Sequence, residues 1–260
     1  MKDHYGDVAV AREGHVAVLT VDRPPHNHVT VDLMRDLADA LDHIDAEPEL
    51  RVSLLTAAGK SFCAGADLTA PTGIVHTNAG QGINALYVEA VRLFSVRKPM
   101  VAAVQGAAVG AGLGLALVAD FRVAAPEARF SANFVKLGFH PGFGISHTLP
   151  RIVGEQRAAL MCLTGRRIKA EEALAWGLAD EVVPLGALRE AALKLAREIA
   201  EAAPLAVQST RATLRAGLAA KVKAQTDHEF LEQSALRKTK DFAEGVRAVA
   251  ERRPGRFTGT

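Results

Sequence analysis

Residues 108–117 read AVGAGLGLAL, with glycine at 110, 112 and 114 and no ionisable side chain before Asp120. The apolar run MVAAVQG (100–106) precedes it and FRVAA (121–125) follows. The order is therefore strand, glycine turn, apolar helix and strand, the alternation of an α/β protein. Three readings compete for the glycines. A dinucleotide-binding fingerprint needs its third glycine where Leu115 stands, and no strand ending in an acid follows about 20 residues on. A packing role needs only small residues that let a helix lie close to a strand. A donor role uses the first N–H groups of the helix, which lack intrahelical partners and favour an oxygen carrying negative charge.

Working outward, VAVAREGHVAVLTVDRP (8–24) holds two β-branched runs separated by Glu13-Gly14, which predicts a hairpin. The stretch from Asp22 to Pro25 stops the second run. Thr30 is placed to cap a helix from about Val31, with Leu33, Leu37, Leu41 and Ile44 on one face. VSLLTA (52–57) predicts a buried strand, and Leu86, Ala90, Leu93 and Phe94 mark a helix before Pro99. FSANF (130–134) is strand-like. Strands alternate with helices to about residue 185, and from Ala187 the chain is almost entirely helix former. This composition shift predicts an α/β core over 1–200 and a helical unit over 201–260.

The chain has 260 residues, 49% of them hydrophobic and 23% charged, ordinary for a soluble globular enzyme. A net charge of +2, with no concentration of basic residues on one face, argues against a nucleic-acid partner. Arg97, Lys98, Asp120 and Arg122 interrupt the richest apolar region, so no membrane span is expected. Cys63 and Cys162 lie far apart without metal spacing, which suits a reducing, cytoplasmic setting. The first residues lack the character of a signal or transit peptide. His26 and His28 have no nearby acid or cysteine partner, and no metal site is expected there.

A second small-residue turn, SFCAGADL (61–68), leaves VSLLTA as the first glycine turn leaves MVAAVQG. Two strand-to-turn elements, each presenting a free N–H, suffice for a two-donor oxyanion hole. At this point the order of motifs resembles the crotonase superfamily, the enoyl-CoA hydratase/isomerase family. VAVLTVDRPPHNHV, VSLLTAAGKSFCAGADL and RKPMVAAVQGAAVGAGLGLALVADFRVAAPEARFS carry the likeness. GFGISHTLPRIVG, MCLTGRRIKAEEALAWGLADEVVP and DFAEGVRAVAERRPGRF extend it over essentially the whole chain.

The resemblance implies a ββα-spiral acyl-CoA-binding core over 1–200 and a trimerisation module over 201–260. It also implies a homotrimer or dimer of trimers. The substrate would be an acyl-CoA thioester, with CoA part of the substrate and no permanently bound cofactor. Its carbonyl would rest on the backbone N–H groups of Ala66 and Ala111. The substrate's path would run along Pro25, His26, His28, Ala64, Gly65, Asp67, Leu68 and Gly110. Asp67 is equally placed to cap the element after its turn.

The family's hydratases carry two glutamates at positions that here hold Gly114 and Phe134. Hydration needs a group to activate water and another to protonate carbon, so the usual hydratase chemistry lacks its acids. Tyr87, in the helix before Pro99, is a candidate for a polar contact. His140, in LGFHPGFG (137–144), is a candidate acid or base. Glu89 is expected on the solvent side of its helix and His147 in a structural role. Ser131 and Asn133 offer neutral hydrogen bonds. Phe134, Phe139 and Phe143 together suggest an apolar acyl pocket. The expected activity is that of an acyl-CoA enzyme stabilising an enolate or oxyanion. The alternatives are an acyl-CoA-binding member without turnover, or a thioester hydrolase or decarboxylase on the same fold.

Overall fold

The computed structural model describes residues 2–66 and 84–260. The two N-terminal runs form strands β2 (Val8–Glu13) and β3 (Val16–Val21), an antiparallel pair with β1 (His4–Tyr5) on the outer edge of β2. Helix α1 (Val31–Ala46) starts where Thr30 accepts the Leu33 N–H at 3.1 Å, and its face of Leu33, Leu37, Leu41 and Ile44 is buried. Parallel strands β4 (Val52–Ala57), β5 (Met100–Val104), β7 (Phe121–Ala124) and β10 (Glu181–Val182) complete a seven-stranded sheet in the order β1-β2-β3-β4-β5-β7-β10. A smaller sheet joins β6 (Ala107–Val109), β8 (Arg129–Ser131) and β9 (Ile168–Lys169).

The near-continuous apolar strands follow from burial on both faces. Val16, Val18, Val52, Leu54, Val101 and Ala103 pack with Leu188, Leu193 and Ala196 of α7 (Leu188–Glu201). Alternate residues, among them Leu19, Leu55 and Ala102, enter the larger core on the opposite face. That core also receives α2 (Ala85–Phe94) and α3 (Ala111–Val118). Every residue of α3 is buried, as befits a helix apolar all round. Asp120 anchors its far end, accepting from Met100 N (2.8 Å), Arg211 Nε (2.8 Å) and Arg215 Nη1 (2.9 Å). The acid after the glycine stretch is thus structural.

The chain continues through α4 (Ile145–Val153), α5 (Glu155–Thr164), α6 (Ala170–Ala175), α8 (Pro204–Leu214), α9 (Leu218–Leu236) and α10 (Lys240–Ala250). The amphipathic faces of α9 and α10, expected to need a second subunit, find much of their cover within the chain. Leu218, Phe230 and Phe242 join the main core, whereas Leu231 is 67% exposed. FSANF also departs from expectation: β8 ends at Ser131, and Asn133–Leu137 is a short 3-10 helix. No helix of the described residues is long and apolar enough to cross a membrane.

Candidate active site

The two small-residue turns lie against each other because β6 extends beside the turn that holds Cys63. Cys63 N donates to Ala107 O (2.8 Å) and Val109 N to Cys63 O (3.1 Å). A side chain on either facing glycine would prevent this. A Cβ on Gly112 would lie 2.0 Å from Cys63 O, and one on Gly65 would lie 2.7 Å from Val109 O and 3.8 Å from Ala111 N. Gly65 also has φ +92°, a region open to glycine at little cost. Packing and donor readings of the glycines are therefore compatible. The close approach brings Ala66 and Ala111 to one cavity of about 460 Å³.

Ala111 is the first residue of α3, and Gly110 before it (φ +55°) donates its own N–H to Ser131 O at 2.8 Å. Among the described residues, neither Ala66 nor Ala111 donates its N–H to a protein acceptor. Both residues face the cavity, together with Ala64, Gly65 and Gly110. Two amide groups at the cavity wall without an acceptor among the described residues, one of them at a helix N-terminus, suit an oxygen that gains negative charge.

The loop before α1 braces the turn that holds Ala64 and Gly65. Ala64 N donates to His26 O (3.0 Å), while Gly65 O accepts from Val29 N (2.9 Å) and His28 Nδ1 (3.1 Å). Since a carbonyl only accepts, His28 carries its proton on Nδ1 in this contact. Both histidines line the cavity, whereas Pro25 is exposed and does not. The loop turns on Asn27, buried with φ +52°, which donates from Nδ2 to Ala58 O (2.8 Å) and Ser61 O (2.9 Å). Asn27, which the resemblance placed in the loop along the CoA path, is a positioning residue, a role the motif reading did not give it. An asparagine between two histidines after Pro-Pro was its signal, because asparagine tolerates the left-handed conformation. Asp67 and Leu68 lie outside the described residues. Cys63 is buried, which pushes its thiol up to about 12 and leaves it a packing residue.

Beyond the amide donors the cavity wall becomes apolar. Phe134, Leu137, Phe139 and Phe143 line it, joined by Leu86 from α2 and Val246 and Val249 from α10. Phe143 is fully buried, and a Cβ on Gly114 would lie 2.5 Å from its ring. The ring thus fills the space toward which a side chain at 114 would point. Asn133 also reaches the cavity, while Ser131 is turned into the small sheet, donating to Arg166 O at 3.0 Å.

Tyr87 faces the cavity and donates its hydroxyl to Gln233 Oε1 at 2.8 Å. Burial raises its phenol pKa, so the group is a hydrogen-bonding phenol and a poor base at neutral pH. Gln233 donates in turn to His140 O (3.0 Å) and Pro141 O (3.3 Å). The His140 ring does not join this group: its Nδ1 contacts Pro141 O at 2.8 Å, and it borders a separate depression. Glu89 is not on the solvent side as expected. It is mostly buried in ion pairs with Arg92 (2.7 Å) and Arg35 (3.5 Å), away from the cavity. Gln233 and Arg237, which the sequence reading missed, enter the cavity from α9 and its C-terminal end.

Glu229 supports the same wall from behind. Its carboxylate accepts from Gly144 N (2.8 Å), Ser146 N (3.2 Å) and the Ser146 hydroxyl, holding the turn that carries Phe143. Burial nevertheless pushes its pKa up to about 7, so folding increases proton binding between about 4.5 and 7. Stability from this group is therefore lost as pH rises through that window. The advantage of wild type over Glu229→Gln in urea midpoint should shrink between pH 5 and pH 8. An unchanged or growing advantage would contradict the burial argument.

Residues 11–260 match the family model described as Enoyl-CoA hydratase/isomerase. A putative enoyl-CoA hydratase of Thermus thermophilus is 37% identical over 249 residues, covering 94% of this chain and 98% of the relative. The (E)-benzylidenesuccinyl-CoA hydratase of Thauera aromatica is 35% identical, covering 97% and 99% of the two chains. The crystal structure of an enoyl-CoA hydratase/isomerase from Pseudoalteromonas atlantica superposes with a TM-score of 0.86 at 31% identity. That match covers 97% of this chain and all of the other.

Proposed function

The chain belongs to the enoyl-CoA hydratase/isomerase family, and from that premise we propose that it processes acyl-CoA thioesters through an oxyanion hole built by Ala66 and Ala111. The observation that carries this reading is that Ala66 and Ala111, whose N–H groups have no acceptor among the described residues, line one apolar-walled cavity. The thioester oxygen would lie between them, with CoA leaving past His26, His28 and Ala64. The acyl group would extend toward Phe134 and Phe139. When a proton leaves the α-carbon, or a nucleophile adds to the carbonyl, charge grows on that oxygen. The fixed donors then bind it more strongly than they bind the ground state.

Proton transfer is not assigned to carboxylates. By resemblance, the two hydratase acids fall at Gly114 and Phe134, and no Asp or Glu is among the described residues lining the cavity. The Tyr87 hydroxyl is a donor that orders Gln233 and, through it, the 140–141 backbone. The missing acids also favour a second reading, an acyl-CoA-binding protein without turnover. Thioester hydrolysis or decarboxylation on the same hole remains within the first reading. For assembly we propose a homotrimer or dimer of trimers, with Leu205, Leu214 and Leu231, all exposed on α8 and α9, offering apolar surface to a partner copy.

Enoyl-, β-keto-, malonyl- and aryl-CoA thioesters, followed for substrate loss beside calorimetric binding, test these readings together. Acyl-CoA binding is expected, with crotonyl-CoA hydration far below the 10–10³ s⁻¹ or so of ordinary efficient enzymes. Hydration within that range would overturn the account of the missing acids. Binding without turnover on any thioester would select the second reading. No binding at all would remove both.

A further inference from the structure

Where the C-terminal end of α2 meets the junction of α8 and α9, a second depression of about 420 Å³ opens. It shares no lining residue with the cavity that holds Ala66 and Ala111. Arg97, Arg211 and Arg215 line it, and no Asp or Glu is among the described residues that do.

Two of these cations have a donor without an acceptor. Arg211 is only 8% exposed. It donates from Nε to Asp120 at 2.8 Å and from Nη1 to the Val96 carbonyl, yet its buried Nη2 has no partner among the described residues. Arg215 donates from Nη1 to Asp120 (2.9 Å) and from Nη2 to Val118 O (3.2 Å), which leaves its buried Nε in the same condition. Asp120 balances only one of the two charges. Burial lowers the Arg215 pKa, and Arg211 and Arg151 lower it further against the pull of Asp120. A buried donor left without an acceptor is unfavourable, the more so on a charged group.

The N-terminus of α9 borders the same space. Gly217 before it (φ +73°) brings no side-chain cap, and the first turn holds no acid. Leu218 N donates to Arg215 O at 2.9 Å, but neither Ala219 N nor Ala220 N has an acceptor among the described residues. Both alanines line the depression. Free first-turn amides and the helix dipole favour an anion at this end of a helix.

We infer that this depression is a phosphate-binding site separate from the acyl-CoA cavity, with the Ala219 and Ala220 amides and the Arg211 and Arg215 guanidiniums holding the phosphate oxygens. The helix end and the arginine pair each supply two donors. That set suits a tetrahedral oxyanion with several acceptor oxygens better than a halide.

Equilibrium dialysis of the assembled protein against radiolabelled inorganic phosphate, at constant ionic strength, reads this directly. Saturable binding of one phosphate per chain is expected. Ala220→Glu puts a carboxylate in the first turn of α9, where an acid suits the helix, so the fold should survive while the site acquires its own anion. Phosphate affinity should then fall roughly tenfold or more, whereas the neutral Ala220→Gln should stay within about threefold of wild type. Arg211→Gln should also weaken binding by roughly tenfold, read only where circular dichroism matches wild type because Asp120 loses a partner too. No saturable binding to wild type, or binding that Ala220→Glu leaves unchanged, overturns the inference. CoA carries phosphates of its own and is the competing source. Saturating CoA should leave phosphate binding unaltered, and displacement by CoA would mean that the site is not separate. The acyl-CoA reading stands or falls on its own thioester titrations, which none of these outcomes enters.

Discussion

Ala111→Pro is expected to lower turnover of any processed acyl-CoA by roughly 10²–10³-fold, the usual cost of losing one oxyanion donor. The substitution removes an N–H and little else. Ala111 opens α3, where proline is well accommodated because that N–H has no intrahelical acceptor. Gly110 before it, at φ +55° and ψ −124°, is already outside the helical region that a following proline disfavours. Ala111→Gly keeps the N–H and serves as the control, with activity near wild type. Circular dichroism and assembly size must match wild type for the comparison to hold. A folded Ala111→Pro protein with unaltered affinity and turnover would eliminate Ala111 as a donor and leave the glycines to packing alone.

The same stretch shows what local pattern can and cannot carry. VSLLTA becomes β4, the Glu13-Gly14 break becomes a hairpin and Thr30 caps α1. Each depends on neighbours in sequence: alternation, turn chemistry or a side chain reaching three residues ahead. The approach of the 63–66 turn to α3 was partly legible, because small residues follow two strands in the same manner. What fills the space beside Gly114 was not legible, since Phe143 arrives from a turn almost thirty residues later and is held by Glu229 from α9. The same limit explains His140, a plausible base by type whose ring borders another depression. It also explains α9 and α10. An amphipathic pattern says that a face is covered, but not whether this chain or another covers it.

Gly114→Glu is expected to destabilise the fold by about 4 kcal/mol or more, the sum of overpacking and of burying an ionisable group. The overlap begins at the first side-chain atom, because a Cβ there would lie 2.5–2.8 Å from three carbons of Phe143. Neither partner can yield easily. Phe143 is fully buried on a turn fixed through Gly144 N, and α3 is buried along its whole length. Placing an acid at this position therefore requires making room first. Phe143→Ala alone should cost about 3–5 kcal/mol through its cavity. Combined with Gly114→Glu, it should cost less than the two separately by about 1–3 kcal/mol, because the new side chain enters the vacated volume. Urea unfolding of the four proteins of this cycle measures that coupling. Strict additivity, or a Gly114→Glu protein within about 1 kcal/mol of wild type, would mean that Phe143 does not block the position. Position 134, the second at which the resemblance implies an acid, differs in kind, because Phe134 lines the cavity. Phe134→Glu can direct its carboxylate into that space, so it should perturb stability less and is the place to begin installing a proton-transfer group.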